Sequence, residues 1–349
     1  MAYTSPVSPT KLYLTESSLR KLKDMNLTLT SIHGVKVGHA EDRRRFSGCT
    51  VLLFERPAVT ACDPRGGWPG GYDTHSVEAG KTFYMKQAIL LAGGDIFGFD
   101  AAAGIRRFLL EHKLASTEVG NVPGIVGTNI YDLGFAKDVM SIDYEKLGYR
   151  ACKNASSSPV KQGNVGAGIG ATVGKFRSMK TCWKGGLGSS VQAINEEIMV
   201  GAVVVTNAVG NVFDPSNGRT IAGARRKQSY AADFCELTEV IPEYLSTGKK
   251  GTKATSIGVI VTNAQMTHEQ IIRVAQAGHD GLARVIRPIH ATTDGDTLFA
   301  VSTNEIKKTF DSTRMVTLIS EVAAQQVSNS VLNAVRNARA LNGVPGLKK

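Results

Sequence analysis

The chain has 349 residues, 42% of them hydrophobic and 20% charged, with a formal net charge of +11. That is enough chain to bury a large core without disulfide or metal staples. Five widely spaced cysteines with no C-x-x-C pair exclude a disulfide framework and a zinc-finger pattern.

Residues 1–28 read as a loose arm rich in Pro, Ser and Lys, with a short helix at "ESSLRKLKDM". The stretch "MAYTSPVSPTKLYLTESS" lacks an apolar signal core, so no secretory signal is expected there, and a cytoplasmic location is expected. The lysines and arginines are scattered. Their densest run is Arg43–Arg45, and no Arg-rich helix or aromatic-plus-basic strand occurs, so no nucleic-acid partner is expected. No run of about 18 apolar residues occurs either, so no membrane partner is expected.

Two β-branched stretches, Cys49–Glu55 and Ala58–Gly66, predict strands. "QAILLAGG" predicts another, after which Asp95 is expected to cap a helix over "IFGFDAAAGIRRFLLEHKL". Glu197–Asn207, "SIGVIVTN" and Asp296–Asn304 predict further strands. Thr267, with Gln270 three residues on, predicts a capped helix start. The C-terminal stretch predicts a long amphipathic helix with Leu318, Val322, Val327, Val331 and Val335 inward. Strands arrive in runs with helices between them, which favours an α+β or layered αββα arrangement over a doubly wound sheet. Residues 153–170 and 246–255 are the linker candidates.

Gly166, Gly168 and Ala171 fit G-x-G-x-x-A, but "ASSSPVKQGN" before them is no buried strand, so a dinucleotide site is not expected. Gly174–Lys175 fails the phosphate-loop pattern, because the first glycine position is Ile169 and Phe176 follows the lysine. The better reading is a tight backbone passage that delivers Lys175 beside something functional. The seven histidines show no paired ligand spacing and are expected to be satisfied or at the surface. No cofactor and no metal are expected.

Thr255 stands where a polar loop meets the apolar strand Ile257–Val261. A hydroxyl nucleophile needs a base beside it. Cleavage before Thr255 would free an α-amine with a pKa near 7.7–8.0, which is such a base. A polar threonine at a strand start is the other reading of this local signal.

The chain resembles the N-terminal-nucleophile hydrolases that include L-aminopeptidase/D-amidases, β-peptidyl aminopeptidases and 6-aminohexanoate-oligomer (nylon oligomer) endohydrolases. The resemblance runs from about Ser31 to the C-terminal helix. It rests on "GVKVGHA" (Gly34–Ala40), "VTACDPRGG" (Val59–Gly67), "ILLAGGDIFGFDAAAGI" (Ile89–Ile105), "GNVGAGIGATVGK" (Gly163–Lys175), "VVVTNAVG" (Val203–Gly210), "TSIGVIVTNAQM" (Thr255–Met266) and "DGDTLFAVST" (Asp294–Thr303). It implies a four-layer αββα sandwich, one hydrolase domain over residues 29–349, self-cleavage between Ala254 and Thr255 into chains 1–254 and 255–349, and a homo-oligomer.

The resemblance also implies roles. Thr255 is the expected nucleophile, with Asp294 and Asp296 orienting it and its amine. Asn207 and Tyr131 are expected to donate to the oxyanion, and Lys175 to keep the amine neutral. Threonine followed by Ser256, together with Asp-x-Asp, is closer to the nylon-oligomer branch; the aminopeptidase branch usually has serine at the nucleophile. The expected partner is therefore a small linear amide or oligoamide substrate, best an oligomer of 6-aminohexanoate, with short α- or β-peptides as the alternative. A non-catalytic or nucleotide-binding protein on the same scaffold is the rival from another class. The chain departs from its relatives in having Ala254 where they have Asn or Gly, which implies slower or incomplete cleavage. It also carries a stretch over Gly66–Gln87 that is longer than in the nylon-oligomer branch.

Overall fold

The computed structural model describes residues 27–114, 120–246, 253–307 and 312–349. The expected N-terminal arm and its short helix, and most of the 246–255 loop, lie outside these. Eight principal strands are β1 (Val35–Asp42), β2 (Ser47–Pro64), β3 (Met85–Ala92), β4 (Ile125–Asn129), β5 (Gly186–Ala193), β6 (Met199–Thr206), β7 (Ile257–Ala264) and β8 (Thr297–Ile306). Four helices pack on them: α1 (Ala101–Glu111), α2 (Tyr144–Lys153), α3 (His268–Ala283) and α4 (Ser312–Asn337). The strands pair in the order β4-β3-β2-β8-β7-β6-β5, with β1 also on β2.

One strand makes two layers out of this ladder. The sequence predicts two strands across 49–66, divided at Arg56–Pro57; the structure has a single strand, β2, that bends there. Between Leu53 and Ala58, five steps of β2 pass against two of β3. Glu55 and Arg56 are exposed at the bend, and Pro57 has no N–H to give a ladder. Beyond the bend, β2 leaves β1 and pairs with β8.

The side-chain alternation of β2 follows the fold-over. Leu52, Phe54, Ala58 and Cys62 all enter one central core. On the opposite face, Val51 and Leu53 pack with α1 and α2, whereas Val59 and Ala61 pack with α3 and α4. Three cores therefore separate four layers, and the expected αββα sandwich is what the chain forms. Alternation on β6–β8 serves the same two cores: Val203, Val259 and Phe299 face the centre, and Val204, Ile260 and Leu298 face the helices.

Several local expectations differ. Asp95 does not cap α1; it opens a 3-10 turn, Asp95–Asp100, with a left-handed φ of 54° after left-handed Gly94, and the α-helix begins at Ala101. Residues 153–170 are no linker. Their end forms a buried 3-10 turn, Gly166–Ile169, wedged between the sheet layers, with Ala167 in the central core. A Cβ on Gly168 would stand 2.4 Å from the Leu187 amide, so this glycine serves packing rather than a phosphate. Leu318 is 44% exposed, and Ile319 takes its place in the core. The capping box of Thr267 and Gln270 forms as expected. The Arg43–Arg45 run occupies the β1–β2 turn, where Arg43 pairs with Glu41, and Arg45 with Asp42 and Asp138.

Strand β5, "GLGSSVQA", carries little β propensity. Its glycines let α4 lie directly on the sheet: a Cβ on Gly188 would stand 2.0 Å from the Ser330 carbonyl oxygen. Both partners are backbone, so Gly188→Ala is expected to destabilise the protein by about 1–3 kcal/mol. Thermal unfolding checks this; an unchanged midpoint would contradict the close packing.

Candidate active site

Register arithmetic places the site. β7 runs antiparallel to β6 with Ile257 opposite Val205, so the ladder extended by two residues sets Thr255 beside Asn207. The Thr255 amide indeed donates to the Asn207 carbonyl at 3.0 Å. β7 runs parallel to β8 with Ile257 beside Thr297, which brings Ala254 and Thr255 to Asp294 and Gly295. An Ala254–Asp294 bridge continues that ladder. β8 pairs in turn with the end of β2, so Arg65 and Trp68 follow alongside: their amides donate to the carbonyls of Asp296 and Asp294 at 2.6 and 2.9 Å. Four adjacent strand ends thus assemble one buried cluster.

At its centre the Ala254–Thr255 peptide is held from both sides. The Thr255 hydroxyl lies 2.5 Å from the Ala254 carbonyl oxygen. The Gly295 amide donates to that same oxygen at 3.1 Å. Gly295 must be glycine: a Cβ there would stand 2.3 Å from the Trp68 carbonyl oxygen and 3.0 Å from Thr255 Oγ1. The middle residue of Asp-Gly-Asp is therefore a donor to the carbonyl next to Thr255. Nothing in the local sequence marks it beyond its place between the two aspartates.

Asp294 and Asp296 are fully buried. Asp296 Oδ1 accepts from the Ser256 amide at 2.6 Å, and Oδ2 accepts from the His290 amide at 3.0 Å and lies 2.9 Å from His290 Nδ1. Asp294 Oδ2 accepts from the Ala291 amide, while Oδ1 has no hydrogen-bond partner among the described residues. Burial first, and the charge of Asp296 second, push the Asp294 carboxyl up to about 7. His290, expected only to be satisfied or at the surface, is hydrogen-bonded into this network. Its signal was the left-handed backbone it adopts six residues before Asp296, at φ 57°, a feature no sequence pattern displays.

Lys175 arrives at the end of the glycine-rich passage, its amide on the Val209 carbonyl. Its Nζ donates to the Asn207 carbonyl at 3.0 Å and to Asn207 Oδ1 at 2.8 Å. Burial lowers its pKa to about 8. The Thr172 amide also donates to Asn207 Oδ1, and Asn207 Nδ2 donates to the Tyr131 carbonyl, so the Asn207 amide has one orientation. Tyr131 also presents its ring, whose centroid lies 5.0 Å from Lys253 Nζ. Of the six residues singled out in the sequence, Thr255, Asp294, Asp296, Lys175 and Asn207 bring their side chains together here with Ala254, whereas Tyr131 joins through its carbonyl on Asn207 and its ring beside Lys253. Among the described residues, no group of three or more His, Cys, Asp or Glu is arranged to hold a metal ion.

A family model described as peptidase family S58 matches residues 28–349. The chain belongs to peptidase family S58. An uncharacterized aminopeptidase of Mycobacterium leprae (strain TN) is 33% identical over 91% of this chain and 92% of that protein. A 6-aminohexanoate-oligomer endohydrolase of Kocuria sp. (strain KY2) is 33% identical over 78% of this chain and 74% of that protein. Among solved structures, the L-aminopeptidase D-Ala-esterase/amidase of Ochrobactrum anthropi, described as a variant of the Ntn hydrolase fold, superposes with a TM-score of 0.68. It covers 92% of this chain and 91% of that one, at 19% identity. A Burkholderia sp. beta-aminopeptidase gives a TM-score of 0.64 over 94% and 95%, also at 19% identity. The fold is that of Ntn hydrolase aminopeptidases, and this S58 chain is a hydrolase acting on amide bonds.

Proposed function

We propose that this S58 hydrolase matures by cutting its own Ala254–Thr255 bond and then uses Thr255 as an N-terminal nucleophile on linear amides. The observation that carries the reading is the Thr255 hydroxyl resting 2.5 Å from the Ala254 carbonyl oxygen while Gly295 donates to the same oxygen. In the first step Oγ1 attacks the Ala254 carbonyl carbon, and the oxygen that gains charge already faces a backbone donor. Collapse moves the acyl group from nitrogen to Oγ1. Water then hydrolyses that ester, leaving an Ala254 carboxyl terminus and a free Thr255 amine.

In turnover that amine takes the proton of Oγ1 as the hydroxyl attacks the substrate carbonyl, and returns it to the departing amine. Water releases the acyl group by the same route. Asp294 Oδ1 and Asp296 hold the ammonium form. Lys175, charged below about pH 8, opposes protonation of the amine and fixes Asn207, whose second amide hydrogen serves the oxyanion. Residues 29–349 then act as one hydrolase domain in two chains, in a cytoplasmic homo-oligomer.

Oligomers of 6-aminohexanoate are the substrate this reading favours, supported by the Kocuria relative's name and by the Thr-Ser and Asp-x-Asp residues. The aminopeptidase named in M. leprae, matched over more of the chain, supports short peptides as the second reading. A panel of linear amides followed by mass spectrometry separates the two. Processing has its own test. Scaled from 37.2 kDa, cleavage before Thr255 leaves bands of roughly 27 and 10 kDa, the smaller starting at Thr255 on N-terminal sequencing. Fully active enzyme in a single intact band would sink the proposal.

A further inference from the structure

The long stretch after β2 is tied down at both ends. Gly67 and Trp68 bond to the backbone of Ala291 and Asp294, whereas Tyr72 forms a two-way bridge with Gly127 of β4. Between these anchors Thr128 Oγ1 donates to the Gly70 carbonyl. The segment thus spans from the Thr255 cluster to the far edge of the sheet, and it stands Trp68 over the cluster with 56% of its surface exposed. A large exposed indole held by backbone bonds at an active site calls for an occupant.

The uncleaved chain supplies one. Lys253, one residue before the scissile carbonyl, sets its Nζ 4.8 Å from the Trp68 ring centroid and 5.0 Å from that of Tyr131. The Asp95 carboxylate interacts electrostatically with the same ammonium. Burial raises its carboxyl, and the Lys253 charge works against that rise. Asp95 also adopts a left-handed backbone, an unfavourable conformation for a residue with a side chain.

We propose that Trp68, Tyr131 and Asp95 form a subsite for a cationic amine carried on the acyl part of the substrate, which Lys253 fills before cleavage. Lys253–Ala254 is then the enzyme's first acyl donor: a carbonyl at Thr255 with an ammonium at the end of a flexible aliphatic path between two rings. Cleavage turns Ala254 into a free carboxyl terminus that can withdraw, and the place passes to ω-aminoacyl substrates. Ring faces attract a cation more than an isosteric methyl, and a half-buried carboxylate adds to that preference. The subsite rests on Thr255 being the nucleophile.

The test uses mature full-length enzyme and a graded series of ω-aminoacyl p-nitroanilides. The longest matches the covalent path from the Ala254 carbonyl to the Lys253 ammonium. Each is compared with its neutral counterpart bearing a methyl group for the ammonium. The readout is the ratio of kcat/KM, ammonium over neutral, per cleaved chain. The parent enzyme should favour the ammonium series, increasingly with length. Trp68→Leu, which keeps an apolar contact without the ring, should lower the ratio by about 2- to 30-fold, with the loss in KM. Trp68→Phe should retain most of it, and Asp95→Asn should lower it from the other side. A parent ratio near one at every length would overturn the proposal, whatever the variants do, and so would a ratio unmoved in both Trp68→Leu and Asp95→Asn. Failure of the nucleophile reading looks different: Thr255→Ala would hydrolyse these anilides as well as the parent.

Discussion

Thr255→Ala should yield a folded protein that stays at 37.2 kDa and hydrolyses no linear amide above about 10⁻⁴ to 10⁻⁶ of the parent rate. The substitution removes the hydroxyl that faces the Ala254 carbonyl, so neither the acyl shift nor the acyl-enzyme can form. The fold should survive, because the residues that build the site do so through backbone registers that alanine does not disturb. The Thr255 amide still reaches the Asn207 carbonyl, and the Gly295 amide still reaches that of Ala254. Thr255→Ser keeps both hydroxyl and amine and should recover part of each function. A denaturing gel, a melting curve and an amide assay on the same preparations check all three statements. Substantial turnover by the alanine variant would move the chemistry to another group.

The two aspartates should separate on substitution. Asp294→Asn is expected to lower hydrolysis per cleaved chain by about 10²–10⁴-fold while holding the melting temperature. Its Oδ2 can still accept from Ala291 as an amide oxygen, and the new NH₂ falls where Oδ1 has no partner among the described residues. The carboxylate that would hold the Thr255 ammonium is lost.

Asp296→Asn should lose activity on the same scale and also stability, by about 1–3 kcal/mol. The Ser256 amide points at one oxygen and the His290 amide at the other, so an NH₂ must face a donor on one side. Asp294 carries a pH signature as well. With its carboxyl pushed up to about 7, the ionised form is lost as pH falls through that value. Hydrolysis by the parent should therefore rise with pH across neutrality as both this carboxyl and the Thr255 amine lose their protons, and Asp294→Asn should keep the amine's limb alone. Near-normal turnover per cleaved chain in both variants would remove these residues from the mechanism.

Much of the site was legible because its chemistry lies in short runs. Lys175 at the end of a glycine passage and Thr255 at the mouth of an apolar strand stand out locally, the latter with a plain strand-start reading beside it, whereas Asp294 and Asp296 are singled out through the motifs that carry the family resemblance. Strands β6, β7 and β8 also stand out locally, since their runs are too apolar to lie anywhere but in a core. The helix start at Thr267 was equally plain, since a capping box is complete within four residues.

What tertiary structure decided is everything that depends on which strand lies beside which. Asn207 meets Thr255 because β6 and β7 pair antiparallel in one register, and Asp294 meets Ala254 because β7 and β8 pair parallel in another. The continuity of β2 through Pro57, the strand character of glycine-rich β5, the place of His290 on Asp296 and that of Trp68 beside Lys253 all follow from such pairings. The physical reason is one of range. Periodicity and capping are properties of neighbouring residues, and the sequence by itself determines them. Register is chosen by burial across strands that lie tens of residues apart along the chain, and only the assembled cores select it.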